Sequence, residues 1–159
     1  MTSEEYLKSM VEILKKKYDL LKEILDLSRS QTYAITDEEF ETLEKLIHGK
    51  QTVINCIEPL DERFNALFLE LKTRLDIKSM EQLNNKNIHG KKDLKEATSK
   101  ILEIVAEISL IEKQNNEMMQ KLMKKSKKEI KNIVQGKKAL SAYISHPFNS
   151  PSYYIDKKK

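Results

Sequence analysis

The sequence predicts an all-α fold: an elongated antiparallel bundle of three long helices followed by a flexible C-terminal tail. Apolar residues recur at alternating steps of three and four through three long stretches. That spacing gathers side chains on one helix face. Breakers are sparse, with three Gly and three Pro in 159 residues, and Lys, Glu, Leu and Ile are abundant. Such a composition favours helix, and the length suits one domain with a single core.

The first helix is expected over residues 3–31. Thr2 and Glu5 have the spacing of a capping box, which satisfies otherwise orphan amides at a helix start. Leu7, Val11, Leu14, Tyr18, Leu21 and Leu25 form its main seam. Tyr6, Ile13, Leu20 and Leu27 recur every seven residues beside it. An apolar face this wide suits a bundle of three or more helices.

A sharp turn is expected next. Thr36 and Glu39 have capping-box spacing, and Ile35 and Phe40 flank them as a hydrophobic staple. A short connection makes the first two helices antiparallel neighbours. The second helix keeps one register through Phe40, Leu43, Ile47, Lys50, Ile54, Ile57, Asp61, Phe64, Phe68, Leu71 and Leu75. Leu46, Val53, Leu60 and Leu67 run parallel to that seam. Pro59 lies inside it, and a proline in a helix interior costs about 3 kcal/mol. The seam nevertheless stays in phase on both sides, so a continuous, kinked helix is expected. Residues 77–92 have weak periodicity and read as a flexible crossover, with Ser79 and Gln82 placed to cap a short turn.

The third helix is expected over residues 93–136, with the first two as its scaffold. Leu94, Ala97, Ile101, Ile104, Ile108, Ile111, Asn115, Met118 and Leu122 form its seam, widened by Val105 and Met119. Beyond Leu122 the same register falls on Lys125 and Glu129. Apolar residues return one position out of step, at Met123, Ile130, Ile133 and Val134. Gly136 is placed to supply a left-handed C-cap. Residues 1–136 therefore read as the bundle domain, and residues 137–159 as a basic, tyrosine-containing tail. The tail has too little apolar surface to fold alone. It still carries Leu140, Tyr143, Ile144, Tyr153 and Tyr154.

Charge is unevenly placed. Residues 121–159 hold eleven lysines against two carboxylates, Glu129 and Asp156. A chain of net charge +4 thus divides into an end at +9 and a body at −5. The Lys-rich run beginning at Lys121 has two readings. It is a solvated face complementing the helix dipole, or it attracts nucleic-acid phosphates. The absence of Arg from residues 121–159 favours the first, because Arg makes the commonest specific base contact. No nucleic-acid partner is expected.

Nothing in the sequence suggests a reaction. His48, His89 and His146 lie far apart, without neighbouring ligands at metal spacing. The pairs Glu4–Glu5 and Glu38–Glu39 sit at helix starts, where dipole and capping effects account for them. There is no Gly-rich phosphate loop, and Cys56 reads as a packed residue on an apolar helix. A lone cysteine excludes a disulfide framework and fits a reducing compartment. No signal peptide is visible, and no run approaches the roughly 20 apolar residues of a membrane span, so no membrane insertion is expected. No catalytic residue, metal or cofactor is expected.

What remains is binding. Asn115 interrupts the third seam and has two readings: a polar residue fixing register in the core, or the lining of a groove at an open end. Met118, Met119 and Met123 follow, and Met adapts to irregular apolar partners. Met118 reads as core filling; Met123, out of step, reads as groove lining.

Several stretches together resemble the FlgN-type flagellar export chaperone family, with the FliT type as a close alternative. They are TDEEFETLEKL from Thr36 to Leu46 with Lys50 after it, and IEPLDERF from Ile57 to Phe64. IEKQNNEMM, from Ile111 to Met119, resembles the family's asparagine-containing last helix. GKKALSAY from Gly136 to Tyr143 and SYYIDKK from Ser152 to Lys158 resemble its tyrosine-bearing tail. The likeness spans nearly the whole chain. It implies a cytoplasmic chaperone that binds the C-terminal helices of hook-associated proteins, prevents premature assembly and delivers them to the flagellar export apparatus. It also implies a binding region toward the C-terminal part. The residues expected to bind the partner are Asn115, Met119, Met123, Ile130, Ile133, Val134, Leu140, Tyr143, Ile144, Tyr153 and Tyr154. The competing readings are a helical structural adaptor, in which the tail has no role, and a basic-tailed nucleic-acid binder.

Overall fold

The computed structural model of the chain describes residues 1–126. The expected end of the third helix at Gly136 and the tail lie outside these residues. Within them are three long helices, α1 (Ser3–Thr36), α2 (Phe40–Leu75) and α3 (Lys91–Ser126), and a short 3-10 turn, Glu81–Asn85. The arrangement is up-down-up. Lys17 on α1 meets Asp61 on α2, and Gln31 meets Lys50, so residue numbers rise on one helix as they fall on the other. Thr32 on α1 meets Asn115 on α3, 83 residues away, and Leu7 lies against Gly90 with the same offset. Hence α1 and α3 are parallel, and α2 is antiparallel to both. α1 packs along both other helices, while α2 and α3 approach each other far less. The central helix is thus the first.

The start of α1 forms as expected. Thr2 Oγ1 accepts from the Glu5 amide at 3.1 Å, and Glu5 Oε2 accepts from the Thr2 amide at 2.9 Å. Its end differs. α1 continues five residues past the expected Gln31, and Thr36 is its last residue rather than a cap for α2. Thr36 Oγ1 donates back to the Thr32 carbonyl at 2.8 Å. The Glu39 amide reaches Ala34 O at 2.9 Å, the Glu38 amide reaches Ile35 O at 3.2 Å, and Glu38 is left-handed at φ 54°. This is a Schellman closure of α1, and Glu39 makes no side-chain cap on α2. The extra turn is held by burial: Ala34 and Ile35 sit in the core beside half-buried Phe40. A glycine would take the left-handed conformation without strain. Glu38→Gly is expected to raise stability by about 0.5–1 kcal/mol. Relief of roughly 1–2 kcal/mol of backbone strain exceeds the roughly 0.5–1 kcal/mol of added unfolded-state entropy. A urea midpoint at or below that of the parent would contradict this.

α2 runs unbroken through Pro59, as its in-phase seam predicts. Cys56 is a correction: it is exposed, not packed. It precedes the buried Ile57, and one residue turns a helical side chain about 100° off the buried face.

The connection from α2 to α3 is also more ordered by packing than its weak periodicity suggests. Ile77 and Leu83 are buried, and Met80 and Ile88 pack on the same cluster, so the segment plugs one end of the bundle. The expected Ser79 cap is absent; instead Gln82 Oε1 accepts from the Lys78 amide at 2.6 Å. Lys91 Nζ donates to the carbonyls of Asn84 and Lys86. Gly90, at φ 101°, turns the chain into α3 against Leu7.

Two hydrophobic clusters fill the bundle. The larger runs from Leu7 to Leu25 on α1, with Ile57, Phe64 and Leu71 from α2 and Leu94, Ile101, Ile104, Val105 and Ile108 from α3. The Lys17–Asp61 pair crosses its middle at 2.6 Å. The smaller comprises Ala34, Ile35, Leu43, Ile47 and Met119.

Candidate functional site at the distal end of the bundle

The smaller cluster marks the distal end, where α1 turns into α2 and α3 runs past them. A layer of buried polar groups divides it from the main core. Lys50 Nζ donates to Gln31 Oε1 at 2.8 Å and also to Glu112 Oε1. Ser28 Oγ donates to the same Glu112 oxygen at 2.7 Å. Asn115 Nδ2 donates to the Ser28 carbonyl at 3.0 Å, and Asn115 Oδ1 accepts from Thr32 Oγ1 at 2.6 Å. Burial pushes the Lys50 ammonium below the usual lysine range, and Glu112, by its charge and its hydrogen bond, pulls it part of the way back. Among the described residues, Gln31 Nε2 is buried without an acceptor.

Of the two readings of Asn115, the described structure has the core one. Asn115 is fully buried and hydrogen-bonded at both ends of its amide. Met119 is fully buried too, on the cluster with Ile35 and Leu43. The out-of-step packing thus begins at Met119, while Met118 is only half-buried. Met123 is half-buried at the edge of the same cluster with Phe40, Leu46 and Leu122. The other expected residues, Ile130, Ile133, Val134, Leu140, Tyr143, Ile144, Tyr153 and Tyr154, lie outside the described residues. Sequence reasoning missed the polar layer as a unit. Its visible signals were Lys50 on the α2 seam and Asn115 on the α3 seam, two polar residues at mostly apolar registers.

The constant offset of 83 explains the loss of register in α3. It sets Met119 level with Thr36, the last residue of α1. Beyond that level α1 offers nothing to pack on. α3 continues to Ser126, seven residues further, which is about 10 Å of helix. This overhang is basic, with exposed Lys121, Lys124 and Lys125. The α1–α2 turn at its side is acidic, with exposed Asp37, Glu38, Glu39 and Glu41. The end thus offers an apolar edge between charges of opposite sign.

Among the described residues no three His, Cys, Asp or Glu side chains are grouped to hold a metal ion. No helix among them is long and apolar enough to cross a membrane.

The chain matches the model of a protein family described as "FlgN protein" over residues 1–146. It belongs to the FlgN family. The match places it with the FlgN type, of the two flagellar types its sequence resembles. FlgN proteins are export chaperones for hook-associated flagellar proteins and are not enzymes. No curated protein and no solved structure matches the chain.

Proposed function

We propose that this FlgN protein works in the cytoplasm by binding the C-terminal amphipathic helix of a hook-associated protein, shielding it until the export gate receives it. The observation that supports this is the overhang of α3 beyond the end of α1. There the apolar face of Met118, Leu122 and Met123 is only partly covered. The sequence continues that stripe through Ile130, Ile133 and Val134, and through Leu140, Tyr143 and Ile144 if the segment is helical. An amphipathic helix laid along such a stripe buries its own apolar face, which would otherwise invite premature assembly. Tyr153 and Tyr154 suit the rim, because each joins a large apolar body to a hydroxyl. Ordering a segment on binding costs about 2–5 kcal/mol, which keeps the complex releasable.

The test is titration of a C-terminal helical fragment of a hook-associated protein against the full chain and against a chain ending at Gln120. The shortened chain is expected to keep its helical circular dichroism and to bind at least tenfold more weakly. Equal affinity would place the groove elsewhere on the bundle.

A further inference from the structure

We propose that the distal end opens as a cooperative unit of its own, hinged at the buried polar layer, and so exposes the apolar surface that Met119 now covers. Two observations carry this. The first is the uneven division of the core. Among the described residues, eighteen buried apolar residues form the main cluster and five form the distal one. Because the hydrophobic driving force scales with apolar area removed from water, the distal cluster contributes less than the main one among the described residues. The second is what lies between them. Lys50, Gln31, Glu112 and Asn115 meet at the boundary rather than at the tip.

A break at that level differs physically from a break anywhere else along the bundle. Separating the helices within the main cluster exposes its many apolar residues and returns water only to the Lys17–Asp61 pair. Separating them at the polar layer lets water reach a lysine whose burial disfavours its charge, and gives Gln31 Nε2 a partner. Regions with little apolar burial open first in native proteins, in contiguous cooperative units. The left-handed Glu38 lies inside the unit, at the turn between α1 and α2. The main cluster, closed at its far end by Ile77 and Leu83, stays folded meanwhile.

The consequence deepens the proposed function and rests on it only for the ligand. In the closed chain Met119, Ile35 and Leu43 are inaccessible. In the open one they extend the half-covered stripe of Met118, Leu122 and Met123 into a longer apolar surface, fit for an amphipathic helix. The chaperone would then hide its own adhesive surface and bind through its minor, open state. Apparent affinity then scales with the fraction open.

Native-state hydrogen exchange on the full chain tests the opening without any partner. Amides near Leu43, Ile47 and Met119 are expected to exchange together, at least tenfold faster than those near Leu21, Ile24 and Ile104. A Lys50→Met/Glu112→Leu double variant removes the charged boundary and joins the two clusters. It is expected to slow distal exchange at least tenfold toward the rate of the main core. Equal protection of both regions in the parent, or unchanged distal exchange in the double variant, would overturn the proposal. Titration with the hook-associated helical fragment separates this idea from the function it serves. Weaker binding by the double variant is expected if opening precedes binding, whereas no binding by either chain would sink the functional reading alone, leaving the exchange result standing.

Discussion

Asp61→Ala is expected to cost about 3–5 kcal/mol of stability, the largest loss from any single polar substitution in the bundle. Lys17 is almost wholly buried, at 1% side-chain exposure, and the carboxylate it faces at 2.6 Å is 11% exposed. The surrounding positions include Leu14, Leu21, Ile57 and Phe64, so the ammonium lies in an apolar neighbourhood with the Asp61 carboxylate as a close counter-charge. Deleting that carboxylate leaves the desolvation cost of the cation in place while removing the attraction that offset it. Asp61→Asn keeps an acceptor and should lose less. Replacing both members, as Lys17→Met/Asp61→Leu, removes the desolvation cost altogether and is expected to fall within about 1 kcal/mol of the parent or above it. Urea unfolding followed by circular dichroism measures all three. An Asp61→Ala midpoint indistinguishable from the parent would mean that the Lys17 ammonium reaches water in the folded chain.

Glu112→Gln carries the second large effect, about 3 kcal/mol at neutral pH, and it should depend on pH in a defined direction. Burial lowers the folded pKa of Lys50, and Glu112 opposes that lowering. A lysine whose folded pKa lies below its unfolded value binds fewer protons when folded. Its contribution to stability therefore rises with pH from the folded value up to the ordinary 10.5. Removing the Glu112 charge lets the folded value fall further and widens this window downward. The loss in Glu112→Gln should accordingly shrink as pH is raised toward 10, relative to the parent at each pH. Urea midpoints of both chains between pH 7 and 10 would check this; a loss that grows with pH would contradict it.

Much of this protein is legible in its sequence, for a physical reason that can be named. A helix is a local object with a fixed 3.6-residue repeat, so three long in-phase seams suffice to place three helices. The same argument carries α2 through Pro59, and the Thr2–Glu5 box is readable because its partners sit three residues apart. A box at Thr36 and Glu39 has the same local signal and does not form. There Ala34 and Ile35 are buried in the distal cluster, and burying them extends α1 through Thr36.

What the tertiary structure alone decided is who meets whom. A seam says which face of a helix is buried, but it does not name the neighbour. Lys50 and Asp61 stand out on the α2 seam. Their partners, Glu112 and Lys17, lie 62 and 44 residues away, at distances set by the relative offset of the helices. That offset, 83 residues between α1 and α3, also fixes where α1 stops supporting α3, and so turns a register shift in the sequence into an end with a partly covered apolar edge. Periodicity is fixed within a turn of helix, whereas offset is fixed by the summed packing of whole helices. The sequence therefore determined the elements and their buried faces, and only the packed bundle decided that α1 lies at its centre and that a polar layer divides its core.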